Sequence, residues 1–382
     1  MPEAYDFAVI GGGLAGLSLL YHFAEAGQLD DRRVALVDPS RKEGHDRSWA
    51  FWSDRPGPFD HLVHHRWDRL IVANATTLCP CDPAPFRYQL IRSTEFYRHV
   101  NECIDAVDGI ERLTTTVAAV HSENGRYRLR LADGNELTAD YLFDSRPFPI
   151  DHRSTEHPYL DQHFRGWFIR TAADVFDPGV AHLMDFRIPQ REECRFVYVL
   201  PFGPREAMVE FTAFSNNHLS EAAYDRELSD YLSAHWTDDY EITHREGGNI
   251  PMTTTPHPLR DGNHIYIGLG GGAARPSTGY TFYGLQRQLQ QLARDFPNLE
   301  RLAPWPLRHR LYDATLLRIL QEGQQSGAET FVQLFVHNPT ERVLRFLNGE
   351  TGLVDELRLM NTTNIPLFAK NFFREALNFM KS

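Results

Sequence analysis

Apolar residues follow two textures along this chain: short unbroken runs, and runs spaced three and four apart. Phe7 to Ile10 is unbroken and partly β-branched, the composition of a parallel strand buried on both faces. Leu14, Leu17, Leu20 and Tyr21 then recur at helical spacing as far as Gly27, and Val34 to Val37 form a second unbroken run that ends in Asp38. Arg92 to Ala106 reads as a helix with Phe96, Val100, Cys103 and Ile104 on one face and Ser93 or Thr94 as its N-cap. Stretches 116–121, 126–132 and 136–139 alternate instead, with turn signals at Asn124-Gly125 and Asp133-Gly134, the pattern of a β-meander. Tyr141 to Phe143 returns to the first sheet and stops at Asp144-Ser-Arg146.

Residues 160–255 change character. Gly166–Arg170, His182–Phe186, Arg195–Leu200 and Ala207–Thr212 are short aromatic runs between polar turns, which predicts an antiparallel sheet, and Glu221 to His235 reads as a helix beside it. Asn263 to Ala274 repeats the logic of a strand followed by glycines, including Gly268 and Gly270, and Ser277-Thr278-Gly279-Tyr280 opens a helix that runs to about Phe296. From about Pro304 the chain is helical, with Leu311, Leu316, Leu317 and Leu320 as an apolar stripe. The expected fold class is α/β. A Rossmann-type domain is assembled from residues 1–75, 90–150 and 260–300, an inserted antiparallel β-sheet substrate domain from 76–89 and 151–259, and a helical C-terminal region from 301–382.

The glycines after the first run give the chemistry its first constraint. Gly11, Gly13 and Gly16 fall on the G-x-G-x-x-G spacing, which permits a tight turn, a close approach of backbone to pyrophosphate, and tight packing of the next helix. Asp38 is placed to accept ribose hydroxyls and suits a free 2′-hydroxyl, so FAD or NAD is favoured over NADP. Arg47-Ser-Trp-Ala-Phe-Trp52, with Trp49 at its centre, is too short for a helix and is expected to reach toward the cofactor; each aromatic alone reads equally well as cover for a core edge.

Composition narrows the partners. A net charge of -12 argues against a nucleic-acid partner. No apolar stretch is long enough to span a bilayer and the N-terminus carries no secretory pattern, so a cytoplasmic location is expected. Cys79, Cys81, Cys103 and Cys194 form no C-x-x-C pair, so reduced thiols and no metal are expected.

Several segments, in order, then carry a narrower likeness: Ser48-Trp-Ala-Phe51, Leu183-Met-Asp185, Arg195-Phe-Val-Tyr-Val-Leu-Pro201, Val209-Glu-Phe-Thr212, Gly248-Asn-Ile-Pro251 and Arg275-Pro-Ser-Thr-Gly-Tyr-Thr-Phe282. From residue 5 to about 350 the chain resembles the bacterial lycopene beta-cyclases, within the GR2-like, FAD-dependent hydroxylase-like flavoproteins. It departs twice. Related bacterial cyclases carry paired acids before the threonine where Glu210 is followed by Phe211, and hydroxylases commonly carry an acid where Leu269 follows Gly268.

The resemblance implies non-redox closure of the linear ends of lycopene, or another linear-ended carotene, into rings. It also implies FAD acting in its reduced form and NAD(P)H as the reductant. The cofactor residues it points to are Gly11, Gly13, Gly16, Asp38, Trp49, Asp144, Gly268, Gly270, Ser277, Thr278, Gly279 and Tyr280. Glu210 is the expected acid, because burial among Met208, Val209 and Phe211 raises a carboxyl pKa. Alternation puts Met208, Glu210 and Thr212 on one face and Val209 and Phe211 on the other, and leaves open which face is buried. Asp185 is a candidate second acid or positioning group, and equally a ladder-end carboxylate. Trp49, Phe51, Tyr198, Tyr280 and Phe282 are candidate aromatic walls for a carbocation. A monooxygenase or halogenase, or an isoprenoid reductase, fits the same scaffold. A hydrocarbon substrate stored in membrane also calls for peripheral contact with the bilayer. Ile365 to Ser382, apolar with Lys370, Arg374 and Lys381, has the composition of an interfacial helix or of one docked on its own core.

Overall fold

The computed structural model describes residues 2–123, 125–150, 156–256, 258–300, 303 and 305–380; Asn124 of the expected meander turn and Lys381 of the tail lie outside them. The first sheet orders its strands Arg260–Asp261, His264–Tyr266, Glu136–Asp144, Glu3–Ile10, Val34–Asp38 and Ile110–Thr114, parallel throughout apart from the first pair. Glu3–Ile10 is buried on both sides. Phe7 and Val9 enter a core shared with helices α1 (Leu14–Glu25), α2 (Ser93–Asp105) and the later helix Phe282–Asp295, whereas Tyr5, Ala8 and Ile10 pack against the meander. This two-sided burial is why the run is apolar without alternation.

The second sheet has seven strands in the order Tyr240–Thr253, Tyr159–Thr171, Glu206–Ser215, Cys194–Gly203, Val180–Asp185, Arg69–Ala73 and Leu78–Cys81. Both of its faces are covered too. Helix α3 (Glu221–His235) packs on Val197, Val199, Val209 and Phe211, while Phe196, Tyr198, Met208 and Phe214 face a helical region. That region follows α4 (Phe282–Asp295) and comprises α5 (Leu307–Gln321), α6 (Gly327–His337), α7 (Thr340–Leu347), α8 (Leu353–Met360) and α9 (Ile365–Phe379). Ser48–Ser53, Arg87–Arg92 and His65–Trp67 make a small sheet between the two large ones.

Local details differ from the sequence expectation in two places. Ser93 does not cap α2: its hydroxyl accepts from the backbone N–H groups of Asp46 (3.0 Å) and Arg47 (3.2 Å), pinning the loop that leads to Trp49. Arg69–Ala73 lies in the second sheet, paired in parallel with Val180–Asp185.

Candidate functional site

Helices α1 and α4 lie side by side, tied by Gln286, whose amide donates to Ser18 Oγ (2.8 Å) and whose oxygen meets the His22 ring (2.9 Å). Their N-termini open on one cavity of about 430 Å³. At one end its wall is the glycine loop, with Gly13, Leu14 and Ala15, joined by Lys42, Arg47, Trp49, Ser145 and Gly268. At the other end it is the second sheet, with Tyr198, Met208 and Glu210, joined by Tyr88 of the small sheet. Thr278, Gly279 and Tyr280 connect the two ends.

The glycine loop is built for an anion. Gly13 is the N-cap of α1 and supplies no side-chain cap, and a Cβ added to it would meet nothing within 4 Å. The positive end of α1 therefore faces open space. Gly16 serves packing: a Cβ there would lie 1.9 Å from the Gly11 carbonyl oxygen. Asp38 accepts the Gly12 N–H (2.7 Å) through one oxygen and the Ser40 N–H (2.9 Å) through the other, beside the loop. Lys42 and Arg47 line the cavity beside this loop; Arg47 opens the run expected to reach toward the cofactor, whereas Lys42 stands in a polar loop without periodicity and was not singled out.

Not every expected cofactor residue reaches this cavity. Asp144 is buried and turned into an ion pair with Arg146 (2.5 Å) and a contact with His264 (3.3 Å), which hold its carboxyl down at about 2 against the burial that would raise it; its neighbour Ser145 lines the cavity instead. Gly270 packs against the Arg146 carbonyl, where a Cβ would lie 2.2 Å away. Ser277 donates to Asp313 Oδ1 (2.7 Å), on the far side of the turn. The turn depends on Gly279, whose φ of +70° is a left-handed conformation that side chains resist; a Cβ there would also lie 2.0 Å from Gln162 Oε1.

Glu210 lies on the same face of the sheet as Met208 of its own strand and Tyr198 of the next, toward the cavity. Burial pushes its carboxyl up to about 8, with the nearby Glu246 acting in the same direction, while Thr212 Oγ1 donates to it at 3.1 Å. At pH 7 Glu210 therefore holds its proton. Glu246 is the residue the sequence reading missed. It stands on Tyr240–Thr253, two strands from Glu210, with Gly166 in register between them. A Cβ on Gly166 would lie 3.3 Å from both Glu210 Oε2 and Glu246 Cγ, so the glycine is the gap across which the two acids face each other. A glycine inside an aromatic strand was the available signal, since it marks a close approach above the sheet.

Burial raises Glu246 to about 7, and Ser48 Oγ donates to it at 3.0 Å. His45 and His244 bring ligand atoms within 4.8 Å of those of Glu246. Their rings, however, stack at 4.6 Å and 13°, so their in-plane lone pairs run parallel rather than converge on an ion. Asp185, the other expected acid, is on the opposite face: it accepts from Tyr231 of α3 (2.7 Å) and pairs with Arg187 (2.5 Å), which hold it ionised. Across the cavity, the Tyr280 hydroxyl meets those of Tyr88 and Tyr198 at 3.4 Å each, and its ring lies edge-on to Trp52 at 4.5 Å. Burial lifts Tyr280 to about 12, so the aromatic wall is neutral. Trp49 stacks on Phe282 at 5.8 Å, nearer the glycine loop.

The lycopene cyclase protein family model matches residues 6–373. The chain belongs to the lycopene cyclase family. Within that family it is 22% identical to the lycopene beta-cyclase of Pantoea ananas over 94% of this chain and 95% of the relative. It is 23% identical to that of Pseudescherichia vulneris over 98% and 97%. The fold is wider than the lycopene cyclases. A geranylgeranyl bacteriochlorophyll reductase-like protein from Thermoplasma acidophilum superposes with a TM-score of 0.66 at 12% identity, covering 97% of this chain and 99% of that one. A flavin-dependent brominase superposes at 0.62 and 11%, covering 96% and 99%.

Proposed function

We propose that this lycopene cyclase family member is a lycopene beta-cyclase: a non-redox isomerase of carotenoid biosynthesis that closes the linear ends of lycopene into beta-ionone rings. The observation that carries this reading is a protonated, buried Glu210 at one end of a cavity whose other end is an uncapped glycine-loop helix. Glu210 would give its proton to C2 of the terminal alkene. The C5–C6 electron pair then attacks C1, forming the ring bond, and the C6 proton leaves to restore a C5–C6 double bond, returned to the Glu210 carboxylate so that the step is balanced. Burial keeps Glu210 protonated, and Glu246 adds to this where it is ionised, because a second carboxylate disfavours the charged form. The rings of Tyr88, Tyr198 and Tyr280 offer electron density without a nucleophile to trap the cation.

The open space above Gly13, the free helix end and the cations Lys42 and Arg47 fit the pyrophosphate of FAD. Bound FAD, reduced by NAD(P)H, would supply an electron-rich face to the cation without net electron transfer. Gly13→Val is expected to cut FAD retention at least tenfold with an unchanged melting temperature of the flavin-free protein, since the added side chain enters open space. Undiminished flavin absorbance in the purified variant would exclude this seat.

Among the described residues no helix is long and apolar enough to cross a membrane. Leu353, Val354 and Leu357 of α8 and Ile365, Phe373 and Leu377 of α9 are nevertheless each more than half exposed, which supports peripheral contact with a bilayer. Replacing Phe373 and Leu377 together by Glu is expected to lower the fraction that floats with phosphatidylcholine vesicles at least fivefold; equal flotation would argue against it.

The direct experiment is expression in lycopene-accumulating cells. A colour shift with unchanged product mass supports the cyclase. A gain in mass would favour the reductase, monooxygenase or halogenase chemistry of proteins with this fold.

A further inference from the structure

A second cavity, of about 480 Å³, lies among α5 to α9. Its wall is apolar, with Leu316, Phe331, Leu334, Phe346, Phe368 and Phe372 prominent. The hydroxyls in that wall have partners within the protein: Ser277 donates to Asp313 (2.7 Å), Tyr312 to Glu356 (3.1 Å), Thr315 to the Leu311 carbonyl (2.8 Å), Thr330 to that of Ser326 (2.8 Å) and Thr363 to that of Met360 (2.7 Å). They ask nothing of a ligand. A void of this size and lining selects a hydrocarbon.

Its two ends say which one. Three wall residues, Leu357, Ile365 and Phe373, are themselves 66%, 51% and 68% exposed, so the cavity opens on the apolar surface of α8 and α9. Inward it stops at Ser277, one residue before Thr278 on the wall of the first cavity. Phe331, Leu334 and Phe346 from the second cavity and Tyr88, Tyr198 and Tyr280 from the first pack in one apolar cluster. The two voids thus adjoin across the Ser277–Tyr280 turn and the apolar side chains of that one cluster. A linear carotene is far longer than the end group that reacts, and the first cavity must also hold the cofactor's reactive end.

We infer that the helix-lined cavity seats the part of the linear carotene remote from the reacting end, and that the substrate enters through its mouth between α8 and α9. This rests on the cyclase reading. The test compares lycopene with a half-length linear isoprenoid that carries the same end group, using Ala369→Trp, which fills the cavity from α9.

KM for lycopene supplied in phosphatidylcholine vesicles is expected to rise at least tenfold while the half-length substrate is cyclised as before. Leu334→Ala in the same chain, by restoring volume, should recover most of the loss. Equal losses for both substrates, or no loss for either, would overturn the assignment. If Ala369→Trp does not fold, Leu316→Trp is read by the same criteria. Lycopene binding to the Glu210→Gln protein, followed by the carotenoid's absorbance, separates the two readings. Weaker binding on cavity filling supports this seat even if the wild-type protein forms no ring, and unchanged binding refutes it even if it does.

Discussion

Glu210→Gln is expected to abolish ring formation, by at least about 10³-fold, toward the upper end of what one positioned proton donor contributes. Glutamine keeps the shape and the hydrogen bond from Thr212 but has no proton acidic enough for an alkene. FAD retention should be unchanged, because Glu210 lies at the end of the cavity away from the glycine loop. Retained activity would remove the residue from the mechanism. The pH dependence follows from the same environment. With the carboxyl raised to about 8, the wild-type rate should be level below that pH and fall tenfold per unit above it. Stability has the same sign. An acid whose folded pKa lies above its unfolded value favours folding in its protonated form, so its contribution is complete below about 4.5 and is lost as pH climbs toward 8. Glu210→Gln should therefore melt relatively higher than wild type at pH 9 than at pH 5. A constant difference across that range would contradict the burial that raises Glu210.

The second large effect is on folding. Arg275 is completely buried, donates through Nε to Asp313 (2.9 Å) and through Nη1 to the carbonyls of Phe346 (3.3 Å) and Leu347 (3.1 Å), and so bolts the Ser277–Tyr280 turn to α5 and α7. Arg275→Ala leaves Asp313 buried without its cation, a change that costs about 3–5 kcal/mol. Burial already pushes the Asp313 carboxyl upward, so in the variant it should take up a proton. The destabilisation should then be mildest near pH 4 and grow toward pH 8. Pairing Arg275→Met with Asp313→Leu removes both charges and should recover much of the loss. Thermal melts of the three proteins across pH decide it. A double variant no better than Arg275→Ala would mean that the carbonyl contacts, rather than the ion pair, hold the turn.

Much of the fold was legible because it is written locally. The unbroken run Phe7 to Ile10, the glycine spacing and the helical stripe after Leu14 each report on neighbours within a few residues, and the structure has them as strand, loop and helix. The same holds for Tyr141 to Phe143, which pairs in parallel with Phe7 to Val9. What was not legible depends on which strands become neighbours. Alternation placed Glu210 with Met208 but could not say that Tyr198 and Glu246 would share its face, nor that Asp185 would meet α3 on the other side. Glu246 lies 36 positions from Glu210, and only the two-strand register through Gly166 brings them together. Asp144 and Asp185 share a reason why sequence leaves their roles open. Each ends a strand, each is followed two residues later by an arginine that returns to it, and each is thereby satisfied within its own turn. A carboxylate that closes on i+2 in this way looks in sequence like one that reaches for a ligand.

The covering of the seven-stranded sheet by α5 to α7 bears on how such a protein can change over evolutionary time. Those helices complete the apolar layer that contains Tyr198 and Met208 of the first cavity's wall, so they cannot be traded as a module without exposing that cavity to water. New chain-length or lipid preferences would have to arise through point changes within these helices. Insertions should be confined to the connections, such as 322–326 and 348–352, whose lengthening leaves the shared layer intact.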